Sequence, residues 1–248
     1  MNCPPGFEEV RDGRTVLWVR SDLRTWMVPL LQHSGGTWEG YQTGVLPGGR
    51  GGTLLVHAAA HPPVVVRPCR RGGLPGRLVQ DLYVGWRPRP FGELCATEWL
   101  IRRGAPVVAV YGAAIRWVVP GCYRGWVVTP YITGAVSLWT WAQRHPPAAE
   151  RQVVLRQIGT AIRRLHDCGG RHPDLNLNNV LIQSSAPTAT PQVLLIDFDR
   201  ARPAVSRADP AADLARLERS ARKLDPAQTC LGAADFRAVR VAYAGGAL

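Results

Sequence analysis

The sequence predicts an α+β chain in two lobes, a small antiparallel β-rich first lobe and a mainly helical second. Three observations carry this. Short apolar runs bounded by Gly and Pro occupy the first half: Thr53-Leu54-Leu55-Val56, Val64-Val65-Val66-Arg67 and Trp126-Val127-Val128-Thr129-Pro130-Tyr131-Ile132. Helical stripes occupy the second: Val154, Ile158, Ile162 and Leu165, then Leu214, Leu217, Ala221 and Leu224. The length of 248 residues, 46% hydrophobic with nine Trp, suits one or two lobes with a sizeable core and excludes a disordered chain. Trp126–Ile132 reads as the last strand before a connector, so the lobes are expected at residues 1–130 and 131–248.

The first helical stripe runs into His166-Asp167-Cys168-Gly169-Gly170, where glycine supplies a C-terminal stop, and His166 reads as a structural residue. Asp209-Pro210 opens the second, with Asp at the cap and Pro in the first turn. The 26 Gly and 21 Pro imply many turns and, in the first lobe, an irregular course.

A net charge of +12, carried almost wholly by Arg with Lys223 the one lysine, calls for anionic partners: nucleic acid, or phosphate-bearing lipid at a membrane surface. There is no basic low-complexity tail and no aromatic RNP signature, so nucleic acid is not expected. Cys3, Cys69, Cys95, Cys122, Cys168 and Cys230 are scattered singly, which suits free thiols in a reducing compartment. Met1–Val10 lacks the pattern of a secretory signal, and no stretch reaches about 18 apolar residues. A cytoplasmic protein attached to a membrane face is the expectation.

Chemistry enters with two strings. His172-Pro173-Asp174-Leu175-Asn176-Leu177-Asn178-Asn179 has the form H-x-D-L-x-x-x-N, in which the Asp accepts the proton of an attacking hydroxyl and the Asn reaches a Mg²⁺. In Val193-Leu194-Leu195-Ile196-Asp197-Phe198-Asp199 an apolar run delivers Asp197 to a strand end, where its carboxylate can hold Mg²⁺ bridging ATP phosphates. Either tripeptide alone would be a turn Asp capping a helix. Together, flanking Val180-Leu181-Ile182 and a turn-rich linker Gln183–Gln192, they read as a kinase catalytic loop and metal-binding turn joined by a hairpin.

Upstream, Gly48, Gly49, Arg50 and Gly51 form a turn whose backbone N–H groups could approach nucleotide phosphates, with no Cβ in the way. A Gly-rich turn is more often an ordinary hairpin; its place before the two motifs assigns it to ATP. A protein kinase ends its next strand in V-A-I-K. Here the matching Val64-Val65-Val66-Arg67 puts an Arg there, whose fork of donors can hold phosphate as well. Its acidic partner belongs on a helix starting near Arg89, with Glu93 favoured and Glu98 open. Arg70, Arg71 and Arg77, in a Gly-rich loop, could meet an anionic acceptor or be a solvated face.

The strings Arg70-Arg71-Gly72-Gly73-Leu74, Thr160-Ala161-Ile162-Arg163-Arg164-Leu165-His166-Asp167, His172-Pro173-Asp174-Leu175-Asn176 and Leu195-Ile196-Asp197-Phe198-Asp199-Arg200 resemble the 3-deoxy-D-manno-octulosonic acid (Kdo) kinases among the lipopolysaccharide-core kinases. The resemblance runs from about Gly48 to Lys223 and implies a protein-kinase-like fold. It implies ATP-dependent phosphorylation of a Kdo hydroxyl, by family usage the 4-OH, on a lipid A precursor at the cytoplasmic face of the inner membrane, by a peripheral membrane protein. Carried over, it makes Asp174 the catalytic base, Asn179 and Asp197 the Mg²⁺ ligands, and Arg67 with Glu93 the phosphate-positioning pair. Pro173 stands where the family usually has Ala, and the linker after Ile182 is longer. The alternatives are another sugar or small-molecule kinase of this fold, such as a core-heptose kinase or antibiotic phosphotransferase, and a catalytically silent membrane-associated binding protein.

Overall fold

In a computed structural model of the chain the described residues are 1–32, 42–45, 53–58, 60–69, 81–184, 190–202 and 209–245. They belong to two compact units, Met1–Glu98 with Ala109–Tyr131, and Trp99–Val108 with Ile132–Leu248. A single break after residue 130 was the sequence-based expectation; the excursion of Trp99–Val108 into the second unit left no mark in composition.

The first unit contains strands β1 (Phe7–Asp12) and β2 (Thr15–Arg20), helix α1 (Arg24–Gln32), strands β3 (Gln42–Val45), β4 (Leu54–Ala58), β5 (His61–Pro68) and β6 (Tyr83–Val84), most of helix α2 (Arg89–Ile101), and strands β7 (Gly112–Val119) and β8 (Cys122–Pro130). All pair antiparallel in one eight-stranded sheet of order β1-β2-β7-β8-β5-β4-β3, with β6 added to β8. The central strands are buried on both faces, so alternate residues feed different cores. Leu17, Val19, Val64, Val66, Ala114 and Val128 pack with Met27, Leu30 and Leu31 of α1. Trp18, Ile115, Tyr123 and Val127 pack with Phe91 and Leu94 of α2, the Trp18 and Phe91 rings stacking at 4.2 Å. Each such side chain contributes about 1.5–3 kcal/mol by leaving water.

Among the described residues the expectation of an irregular first lobe is therefore corrected. Two of their glycines sit where a regular sheet needs them. Pro120-Gly121 closes the β7–β8 hairpin, with Gly121 at φ +79° as the third residue of a type II turn requires. In β8, a Cβ on Gly125 would stand 2.5 Å from Pro90 Cγ, so glycine lets the start of α2 lie directly on the sheet.

The second unit contains the end of α2, strand β9 (Ala135–Ser137), helices α3 (Leu138–Ala142) and α4 (Ala148–Asp167), strands β10 (Val180–Gln183) and β11 (Gln192–Leu195), and helices α5 (Ala211–Leu224) and α6 (Ala233–Tyr243). The three strands form an antiparallel sheet of order β11-β10-β9. The stripe Val154, Ile158, Ile162 and Leu165 is wholly buried in its core beside Leu214, Leu217 and Ala221 of α5. Leu224, at the fraying end of α5, is instead 40% exposed. No helix among the described residues is long and apolar enough to cross a membrane.

Past α5 the chain turns on Asp225. Its carboxylate accepts the N–H groups of Thr229, Cys230 and Leu231 at 2.8 to 3.0 Å and the Thr229 hydroxyl at 3.0 Å. The Leu231 N–H is the largest influence and, with those of Cys230 and Thr229, outweighs burial to lower the Asp225 pKa to about 2. A depressed carboxylate stabilises the fold fully above its unfolded pKa of about 3.9 and loses that contribution as pH falls through the folded value. Asp225→Asn should therefore lower the melting temperature at pH 7, and its gap from the parent should close between about pH 4 and pH 2. A gap independent of pH would show that the carboxylate charge does not hold this loop.

Candidate active site

In the first unit, β5 ends by presenting Arg67 to Glu93 on α2. One guanidinium nitrogen, Nη2, donates to Oε1 at 2.6 Å and to Oε2 at 2.8 Å. Glu93 is 2% exposed, whereas the Arg67 side chain remains 30% exposed. The open choice between Glu93 and Glu98 is thus resolved by geometry. Burying the carboxylate is tolerable because the guanidinium is there, and removing the cation should be expensive. Arg67→Ala should cost about 3 kcal/mol in urea unfolding. The double replacement Arg67→Met/Glu93→Leu should recover most of that stability, since an apolar pair of similar volume leaves no stranded charge. Wild-type stability in Arg67→Ala would mean the pair contributes nothing.

In the second unit, the loop between α4 and β10 carries the residues singled out from sequence. His172 is fully buried. Its Nε2 lies 2.8 Å from the carbonyl of Ile196, which can only accept, so Nε2 carries the proton. Its ring packs on Phe198 with centroids 4.5 Å apart. Burial pushes the imidazole pKa below its ordinary value, against the Ile196 carbonyl and the Asp197, Asp213 and Asp174 carboxylates. A neutral His172 thereby ties the loop to the Ile196-Asp197-Phe198 turn.

Asp174 is exposed, and its main chain is pinned: its carbonyl accepts from Asn176 Nδ2 and Asn179 Nδ2, each at 2.9 Å. Asn179 is buried, and donation by its Nδ2 orients its Oδ1 as an acceptor. The Ile196 N–H donates to the Asn179 carbonyl at 3.1 Å, continuing the β10–β11 ladder, so Asn179 and Asp197 sit at adjacent strand ends. Asp197 has φ +70°, a left-handed conformation that Asp tolerates better than most residues. Local strain is thus held at the carboxylate the sequence assigns to metal.

Beneath the loop lies Asp213, which reading the sequence missed. Buried on α5, its Oδ2 accepts the His172 backbone N–H at 2.9 Å and lies 3.0 Å from His166 Nε2, while Oδ1 accepts from Arg216 at 2.8 Å. Two turns along, Ser220 Oγ accepts the Leu177 N–H at 3.2 Å. Burial raises the Asp213 pKa, but the His166 bond, the His172 N–H and the nearby cations together hold it below the usual carboxylate value. His166, read as structural, also contacts the Tyr243 hydroxyl at 2.9 Å and so joins α4, α5 and α6 under the loop. The available signal was a carboxylate on the apolar face of α5, four residues before Leu217.

Gly48, Gly49, Arg50 and Gly51, like Arg70, Arg71 and Arg77, lie outside the described residues. For a magnesium ion the donors are suitable in kind. The Asn179 amide oxygen and Asp197 carboxylate are hard oxygens at neighbouring strand ends, and Mg²⁺ bound by one or two protein groups completes its shell with water and substrate phosphates. Among the described residues no cluster of three His, Cys, Asp or Glu forms a dedicated metal cage.

Comparison with known proteins places these motifs in a family. Residues 42–243 match the lipopolysaccharide kinase (Kdo/WaaP) family. The 3-deoxy-D-manno-octulosonic acid kinase of Xylella fastidiosa (strain 9a5c) is 33% identical over 214 residues, 83% of this chain and 80% of that protein. That of Vibrio vulnificus (strain CMCP6) is 33% identical over 181 residues, 71% of each. Among solved structures, WaaP in complex with acyl carrier protein aligns at TM-score 0.59 and 18% identity, covering 93% of this chain and 89% of WaaP. A glucosamine kinase aligns at 0.51 and 14%, covering 95% and 67%. At these identities the structures speak for the fold alone, which is protein-kinase-like. The chain therefore belongs to the lipopolysaccharide kinase (Kdo/WaaP) family and is an ATP-dependent phosphotransferase of lipopolysaccharide biosynthesis.

Proposed function

We propose that the chain transfers the γ-phosphoryl group of ATP to a Kdo hydroxyl, the 4-OH, on a Kdo-bearing lipid A precursor at the cytoplasmic face of the inner membrane. The observation that carries this is the construction of the catalytic loop. Asp174 projects into solvent from a backbone fixed by Asn176 and Asn179 and supported by Asp213 and Ser220, an arrangement that orients one carboxylate for an incoming hydroxyl.

In the step itself the Kdo oxygen bonds to the γ-phosphorus, the bond to the ADP oxygen breaks, and the hydroxyl proton passes to Asp174. Arg67, braced by Glu93, holds ATP phosphate. Gly48, Gly49, Arg50 and Gly51 are assigned to the ATP phosphates on their sequence alone. Magnesium, held by Asn179 and Asp197, would offset phosphate charge. The curated relatives named above as Kdo kinases support the acceptor class.

Turnover should be compared on a Kdo-bearing lipid A precursor, a heptose-bearing core and free glucosamine, each with Mg²⁺ and with EDTA. The Kdo acceptor should be preferred by orders of magnitude in kcat/KM, and EDTA should abolish turnover. Preference for heptose or glucosamine would move the chain to another acceptor, and full activity in EDTA would remove the metal role of Asn179 and Asp197.

A further inference from the structure

At one end of the first unit's sheet the surface is unusually apolar. Trp86 is 75% exposed, Val84 67%, Val119 53% and Val118 38%. They form one feature. The β7–β8 hairpin turns at Pro120-Gly121, and β6 is laid beside it by the Val84–Cys122 pairing and by the Gly85 N–H donating to the Gly121 carbonyl at 2.8 Å. The Trp86 ring rests over Gly121 and beside Trp117, with centroids 5.9 Å apart. The apolar side chains thus crown a rigid hairpin tip.

Behind the crown stands positive charge. Arg116 and Arg124 are directly opposite on β7 and β8, a like-charge pair that disfavours the sheet unless an anion lies near. Arg124 is paired with Asp81 at 3.0 Å, whereas Arg116 is exposed and forms no ion pair among the described residues. Arg14 reaches the tip itself, donating to the Val118 carbonyl at 3.1 Å, and Arg87 is exposed next to Trp86. Four arginines therefore surround the crown, with Asp12 and Asp81 the nearby carboxylates. Arg116 lies two residues behind Val118, about 7 Å along a strand. That is the depth order of a bilayer interface, with valines at the acyl boundary, Trp at the headgroups and Arg at the phosphates.

We propose that this hairpin tip is a membrane-docking surface that inserts Val84, Trp86, Val118 and Val119 into an anionic lipid interface and sets Arg116 and Arg124 against lipid phosphates. The proposal rests on the lipid-linked acceptor proposed above and names the surface through which the enzyme reaches it. It is independent of Arg70, Arg71 and Arg77. The favoured partner is lipid rather than an acidic protein because the apolar groups project from a narrow tip with the charges set back, whereas a protein partner would need a broad, flat contact.

The test uses the full chain and the variants Trp86→Ser/Val119→Asp and Arg116→Glu/Arg124→Glu, whose exposed positions should leave the melting temperature near that of the parent. Sedimentation is measured with phosphatidylglycerol-containing and with pure phosphatidylcholine vesicles, at low and high salt. Turnover is measured on a vesicle-embedded Kdo lipid and on its deacylated, water-soluble form. The parent should prefer the anionic vesicles and release them with salt. Each variant should bind at least tenfold more weakly and show a tenfold higher KM for the embedded acceptor, with kcat/KM on the soluble acceptor unchanged. Equal vesicle binding by parent and variants would overturn the proposal, as would a parent that ignores vesicles and instead needs this patch to bind an acidic protein. A parent that phosphorylates neither the embedded nor the soluble Kdo acceptor would defeat the functional proposal alone, and the sedimentation result would still decide the surface.

Discussion

Asp197→Ala should lower kcat by about 10³-fold or more, roughly 4 kcal/mol of transition-state stabilisation, while leaving the protein folded. The carboxylate stands just past the end of β11 beside Asn179, where its assigned work is electrostatic, and alanine removes the charge while leaving a Cβ at φ +70°. A second substitution separates function from stability at the same position. Because Asp197 sits at φ +70°, Asp197→Gly should relieve local strain and offset the added freedom of the unfolded chain, so that stability is unchanged while activity is equally lost. Kinetics and urea unfolding of the two variants check both halves. Retained turnover in either would take phosphate neutralisation away from this residue.

Asp174→Asn should reduce kcat by about 10²- to 10⁴-fold with little change in nucleotide affinity. Its main-chain carbonyl, not its side chain, receives the Asn176 and Asn179 amides, so the loop should survive the substitution. What is lost is the ability to take the proton of the attacking hydroxyl. Asp213→Asn provides the contrast, because the buried carboxylate holds the loop from below through the His172 N–H. It should lower stability and activity together, whereas Asp174→Asn should lower activity alone. An Asp174→Asn protein with weakened nucleotide binding and normal turnover would reverse the assigned roles.

The parts of this molecule legible in its sequence were those governed by local periodicity. The stripe from Val154 to Leu165 gave α4, Asp209-Pro210 gave the start of α5, where Asp209 Oδ1 accepts the Ala211 N–H at 2.9 Å, and two apolar runs gave β10 and β11. Arg67 and Glu93 could be nominated because both flank recognisable elements, but only the fold brings residues 26 positions apart to 2.6 Å. What stayed hidden depends on tertiary contact. Strands β2 and β7 carry buried residues on both faces and so lack clean alternation, and β1 buries no residue fully. Asp213 looked like an ordinary charge in a helix until its neighbours His166 and His172 were in place. Trp86 read as one more tryptophan in a Trp-rich chain, and only its exposure marks it out.

The most direct test is the product itself. Purified enzyme, ATP, Mg²⁺ and a Kdo-bearing lipid A precursor should yield a phosphomonoester whose phosphorus correlates by NMR with the proton at C4 of Kdo, and the Asp174→Asn enzyme should yield almost none in the same time. A phosphate found on a heptose, on glucosamine or on another Kdo hydroxyl, or an equal yield from Asp174→Asn, would contradict the account.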